Sequence, residues 1–155
     1  MTAPLPDRPP EGPIDFPLDR HVFFLFGQLL GYRNRALNRA LREFGLDYQR
    51  WRVLAVLNEN PGCAMQTLAE LTAVDRTTVT YTVKLMVRAG LVKRAPRETD
   101  RRSVALSLQP AGKKLLAKIL PAVLKLNRRC VAGFSDDESA SILRQLQKMA
   151  DNLKE

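Results

Sequence analysis

The 155-residue chain predicts a mostly α-helical fold, a winged helix-turn-helix with dimerisation helices at its N- and C-terminal ends. Three observations predict it. A helical pattern with a threonine-rich start runs from Asp75 to Ala89-Gly90, directly after a shorter helical stretch and a tight turn. Two alternating segments follow, joined by a loop that holds Arg97, Asp100, Arg101 and Arg102. Long amphipathic patterns lie before and after this block.

Residues 1–18 hold Pro4, Pro6, Pro9, Pro10, Pro13 and Pro17, the composition of an extended, flexible arm. Asp19 is a candidate N-cap for a helix to about Phe44. Its apolar residues Val22, Leu25, Phe26, Leu29, Ala36, Leu37, Ala40 and Phe44 recur at helical spacing, and Gly45 ends it. Asp47 caps a second helix through Trp51, Leu54, Ala55 and Leu57, stopped by Asn60-Pro61-Gly62. Leu68, Ala69 and Leu71 mark a short helix, Ala73-Val74 a turn, and Asp75 the cap of the next helix. Leu91–Ala95 and Ser103–Leu108 form the expected hairpin around Pro96–Arg102. From Pro110 a long helix is expected to about Ala132, bent at Pro121. Ser135-Asp136-Asp137-Glu138 reads as a capping box opening a last amphipathic helix through Ile142, Leu143, Leu146, Met149, Ala150 and Leu153. One folded domain, 19–155, is expected: a DNA-binding lobe over about 47–109, and dimerisation helices over about 19–44 and 110–153. The terminal helices expose more apolar surface than one small core covers, which points to a homodimer.

Charge identifies the class of partner. The chain carries 25 Lys and Arg against 16 Asp and Glu, a net charge of +9. Between Arg76 and Arg102 the cations Arg76, Lys84, Arg88, Lys93, Arg94, Arg97, Arg101 and Arg102 face only Glu98 and Asp100. A helix that fits the major groove, followed by a basic hairpin, suits double-stranded DNA. Arg76 and Thr77, with Thr78 in the same threonine-rich turn, are candidates for base edges or phosphates. Thr80 and Tyr81 suit thymine methyls and groove atoms, and Lys84 a phosphate. Val79, Val83 and Met86 should pack inward. In the wing, Arg102 is the candidate for minor-groove insertion, Arg97 and Arg101 for phosphates, and Asp100 for pairing with Arg102 or a neighbour to set the loop's shape. With one reading helix per chain, a homodimer should read a pseudo-palindromic operator whose half-site centres lie about 10 bp apart.

Several classes are disfavoured. His21 is the only histidine, so neither a Ser-His-Asp triad nor a multi-histidine metal site is available. No phosphate-cradling glycine loop appears. Cys63 and Cys130 lack Cys-x-x-Cys spacing, so no disulfide framework or zinc site is suggested. No enzyme, cofactor or metal is expected. No apolar run approaches the ~20 residues of a membrane span, and no signal peptide is visible, so a cytoplasmic location is expected.

These residues resemble the multiple antibiotic resistance regulator (MarR) family over roughly residues 20–153. Gln49-x-Trp51-x-Val53-Leu54 resembles the family's second helix, while Leu68-Ala69 and Asp75-Arg76-Thr77-Thr78-Val79-Thr80 resemble its helix-turn-helix. Gly90-Leu91-Val92-x-Arg94 resembles the entry to the wing, and Asp100-Arg101-Arg102 followed by Leu108 resembles its wing signature, with Gln109 where a threonine is usual. The resemblance implies a homodimeric, usually repressing transcription factor whose affinity for DNA changes when a small molecule binds. It also implies ligands held between the dimerisation helices and the winged helix, aromatic acids or their coenzyme A thioesters among them.

Arg33 draws notice in this light, set between Leu29-Leu30 and Ala36-Leu37 on the first helix. One reading is an ion pair within the dimer interface, or a side chain that snorkels to water. The other is an anchor for a small anionic or aromatic effector, with Gln28, Tyr32, Arg35 and Trp51 as further candidates and His21, Phe24 and Arg39 on the same stripe. A winged-helix module that docks a protein or RNA, with no small-molecule effector, is the alternative function.

Overall fold

The computed structural model describes Pro17, Leu18, residues 21–96 and residues 104–154. The proline-rich arm up to Phe16, the candidate cap Asp19, and the wing residues Arg97, Asp100, Arg101 and Arg102 lie outside the described residues.

Among the described residues six α-helices and three strands follow in chain order: α1 Val22–Leu41, α2 Tyr48–Glu59, β1 Cys63–Ala64, α3 Met65–Thr72, α4 Arg76–Arg88, β2 Val92–Pro96, β3 Val104–Leu108, α5 Pro110–Cys130 and α6 Asp136–Asp151. The chain divides into two compact units, 1–33 and 34–155. In the first, Phe23 and Phe26 meet edge to face with ring centroids 6.2 Å apart, and Val22, Leu25, Leu29 and Leu30 are exposed. The second unit contains the chain's buried core.

That core is built by convergence of apolar faces. Leu37 and Leu41 come from the end of α1, Trp51, Val53, Leu54 and Leu57 from α2, and Leu68 from α3. Val79, Val83 and Met86 of α4, Val92 and Leu106 of the sheet, and Leu116, Ile119 and Val123 of α5 complete it. Burying side chains of this size stabilises by roughly 1.5–3 kcal/mol each, which fixes these elements against one another.

Local chemistry sets the boundaries. The first helix was expected to reach Phe44; it ends at Leu41 and tightens into a 3-10 turn over Arg42–Phe44. Gly45, at φ 66°, then turns the chain and donates its N–H to the Arg42 carbonyl. Asp47 caps α2 as expected, accepting from the Arg50 amide at 2.8 Å. α5 runs on past Pro121 and stops at Cys130, short of Ala132. Ser135 and Glu138 form the expected capping box, each side chain accepting the other residue's amide.

β1 was not anticipated. It pairs antiparallel with β3 through Cys63↔Leu106 and Ala64↔Ala105, giving a sheet of order β1-β3-β2. The expected hairpin is present, with Val92 opposite Leu108 and Pro96 opposite Val104.

Candidate nucleic-acid interface

The site begins with the turn between α3 and α4. Ala73 takes a left-handed conformation at φ 48°, and its N–H returns to the Ala69 and Glu70 carbonyls at the end of α3. Such a conformation in a residue with a Cβ costs energy that the surrounding contacts must offset. Leu68, fully buried, and the Thr72 hydroxyl, which donates to the Leu68 carbonyl at 2.7 Å, hold the end of α3 in place.

Asp75 then starts α4, its carboxylate accepting from the Thr78 amide at 2.9 Å. Hydrogen bonding by the Thr78 side chain, and next by its amide, holds the Asp75 carboxyl below its ordinary value of 3.8. The cap is therefore ionised at neutral pH and satisfies an otherwise orphaned donor of the first turn.

The two faces of α4 separate as expected. Val79, Val83 and Met86 are buried, and Thr82 joins them, its hydroxyl donating to the Thr78 carbonyl at 2.9 Å. Arg76, Thr77, Thr80, Tyr81 and Lys84 are exposed, Tyr81 by 63%. Thr78 stands apart from this group. It is half-buried, with its amide bonded to Asp75 and its carbonyl to Thr82. Thr80 is exposed, yet its hydroxyl donates to the Arg76 carbonyl at 2.7 Å. The helix carries Arg76, Lys84 and Arg88 and no acidic residue. Thirteen residues make it about 20 Å long, enough to lie along a major groove. On the adjoining strand Lys93 and Arg94 are exposed.

Arg52 is a supporting residue that sequence reasoning did not single out. From α2 it donates to the Tyr48 hydroxyl at 2.9 Å, lies 5.6 Å from the centroid of that ring, and reaches the Leu71 carbonyl at 3.4 Å. It thereby ties α2 to the last turn of α3. The i,i+4 spacing of Tyr48 and Arg52 was the only signal in the sequence, and Leu71 was not foreseeable as a partner.

The effector candidates fall in both units. Gln28 and Tyr32 are exposed and Arg33 half-buried in the first; Arg35 is exposed and Trp51 buried in the core of the second. Cys63 is half-buried and Cys130 exposed, and among the described residues no group of three or more His, Cys, Asp or Glu is placed to hold a metal ion. No described helix is long and apolar enough to cross a membrane.

A described helix-turn-helix whose second helix buries one face and offers a cationic, hydroxyl-rich one, backed by an antiparallel wing, defines the class: a winged-helix DNA-binding transcriptional regulator. The chain belongs to the MarR family. That family's sequence profile matches residues 44–103. The chain is 30% identical over 123 residues to a Thauera aromatica protein named as the transcriptional regulator for the hcr operon, covering 79% of this chain and 74% of that one. A crystal structure of a MarR-family regulator from Silicibacter pomeroyi superposes with a TM-score of 0.82 at 25% identity, over 89% of this chain and 93% of that chain. CouR from Rhodococcus jostii RHA1, solved bound to p-coumaroyl-CoA, shares the fold with a TM-score of 0.79 at 24% identity, over 86% of this chain and 94% of that chain.

Proposed function

We propose that the protein is a homodimeric repressor that reads a pseudo-palindromic operator and is released from it by a small anionic or aromatic effector. The observation that carries the reading is the division of α4. Its inner face is locked into the core by Val79, Val83 and Met86, so Arg76, Thr77, Thr80, Tyr81 and Lys84 are presented outward as a fixed unit. A preorganised face loses little conformational freedom when it enters a groove.

Arg102 is the candidate for the minor groove, Arg97 and Arg101 for phosphates, and Asp100 for pairing with one of them. Two copies, joined through the apolar faces of α1 and α6, place two reading helices on one side of the duplex. Repression follows from occupancy, because a dimer seated on a promoter blocks polymerase without further parts.

Gln28, Tyr32, Arg33, Arg35 and Trp51 are the candidates for the effector, because guanidinium and aromatic side chains suit an aromatic carboxylate or an acyl-coenzyme A. The p-coumaroyl-CoA bound to CouR belongs to this chemical class. Release requires that the effector bind the DNA-free arrangement more tightly than the DNA-bound one.

A gel shift on the DNA upstream of its own gene, with salt varied, tests the proposal. Specific binding should appear as two symmetric half-sites in a footprint, lose affinity steeply with salt, and be reversed by an aromatic acid or its thioester. Binding of unrelated duplexes with equal affinity would refute it and favour docking to a protein or RNA.

A further inference from the structure

Among the side chains that α4 exposes, Thr80 differs in its hydrogen-bonding capacity. A threonine hydroxyl has one proton and two lone pairs. At Thr80 that proton is directed to the Arg76 carbonyl, one turn back along the helix, at an Oγ1–O distance of 2.7 Å. Thr82 directs its own hydroxyl to the Thr78 carbonyl at 2.9 Å but is buried, so it presents nothing to a ligand. Thr80 is exposed, on the flank of the face that buries Val79, Val83 and Met86. Toward a partner it therefore offers a hydrogen-bond acceptor and a methyl group, and no donor.

The four base pairs answer this pair of groups differently. In the major groove guanine presents acceptors at N7 and O6, which an acceptor cannot bond. Cytosine presents an amino donor at N4 but no methyl. Adenine presents an amino donor at N6, and its partner thymine carries a methyl on the same edge. An A·T pair is the one pair that supplies a donor for the Thr80 oxygen and an apolar contact for its γ-methyl together. We infer that Thr80 is a specificity-determining residue that selects an A·T pair in each half-site. The back-bond to Arg76 is what gives it this preference: a hydroxyl free to rotate would donate to guanine as readily as it accepts from adenine. This inference rests on the reading of the protein as an operator-binding regulator.

The test uses the full-length protein and its footprinted operator, with affinity followed by fluorescence anisotropy. Thymines of one half-site are replaced singly by uracil, which removes only the methyl. One position should weaken the unmodified protein roughly fourfold, the worth of one buried methyl. Thr80→Ser, which keeps the acceptor and lacks the methyl, should be indifferent to uracil at that position. Thr80→Val, which keeps the methyl and lacks the acceptor, should still sense uracil. It should be indifferent when the paired adenine is replaced by purine, a change that costs the unmodified protein roughly three- to tenfold.

If the unmodified protein distinguishes its operator from unrelated duplex but no thymine in the half-site responds, the inference fails and the operator reading stands. The inference fails in the same way if Thr80→Ser responds to uracil as the unmodified protein does at every position. If the unmodified protein shows no preference for its operator at all, the functional reading fails and the inference falls with it. The substituted position is exposed, and the uracil series on the unmodified protein needs no variant to fold.

Discussion

Gly112 lies so close to Leu91 that a Cβ at this position would overlap the Leu91 carbonyl oxygen and stand 3.2 Å from its carbonyl carbon. The same carbonyl accepts the Gln109 amide at 2.9 Å, and the Leu91 amide donates to the Met86 carbonyl at 2.9 Å. Leu91 thus joins three elements: the end of the reading helix α4, the start of the wing, and the first turn of α5. Gly112 is buried and contributes by lacking a side chain, which lets α5 pack on this junction.

Gly112→Ala should therefore destabilise the protein, although alanine is the better helix former by ~1 kcal/mol. The obstacle is backbone, not the end of a flexible side chain, so either α5 or the wing must shift. A net loss of about 1–3 kcal/mol is expected, read as a lower midpoint in urea with little change in slope. An unchanged or higher midpoint would show that the junction yields freely.

Acid should weaken three carboxylate contacts at helix ends. Asp75 is held below its ordinary value by Thr78, Glu138 by Ser135, and Asp151 by Lys154 and then Gln147. A carboxyl lowered in the folded state favours folding when ionised. The contribution is complete above the unfolded value, near 4, and is lost as pH falls through the lower folded values. Melting temperature should be flat with respect to these groups between about pH 5 and 7 and decline below about pH 4. In the triple variant Asp75→Asn, Glu138→Gln, Asp151→Asn the acid decline should be shallower, and an identical decline would remove these carboxylates as its source.

How much of this was legible in the sequence depended on how local the cause was. Asp47, Asp75 and Ser135 bond to amides three residues away, so the starts of α2, α4 and α6 could be read directly. The inward set Val79, Val83 and Met86 followed from helical periodicity alone. β1 did not, because two residues show no alternation and the partner, β3, lies some forty positions later. Arg52 was missed for a related reason: its contact with Leu71 spans 19 positions and exists only once α2 and α3 pack. The back-bond of Thr80 is local, but the sequence cannot show which rotamer an exposed threonine adopts.

Arg102→Ala should weaken operator binding by roughly 1–3 kcal/mol and leave the melting temperature unchanged, because the side chain is assigned to DNA and not to the core. Tyr81→Ala should instead lower the ratio of operator to non-specific affinity. Wild-type affinity and salt dependence in Arg102→Ala would remove the arginine from the interface.

Dimerisation should depend on α6. None of the residues of α6 is buried in the single chain, although Ile142, Leu143, Leu146 and Met149 recur at helical spacing, with Leu153 just past its end. Leu143 is 68% exposed and Leu153 67%. A continuous apolar stripe left in water forgoes roughly 1.5–3 kcal/mol per large side chain, so a partner surface is expected to cover it. The face of α1 that exposes Leu25, Leu29 and Leu30 offers the same chemistry. Leu143→Glu removes nothing from the chain's own core and places an unpaired charge where the second copy should sit. Helical content should therefore be retained while sedimentation shifts from dimer to monomer. Operator binding should fall steeply, and the dependence of its logarithm on log salt should drop to about half, since one reading helix then neutralises half as many phosphates. A Leu143→Glu protein that sediments as a dimer and footprints both half-sites would place the interface elsewhere.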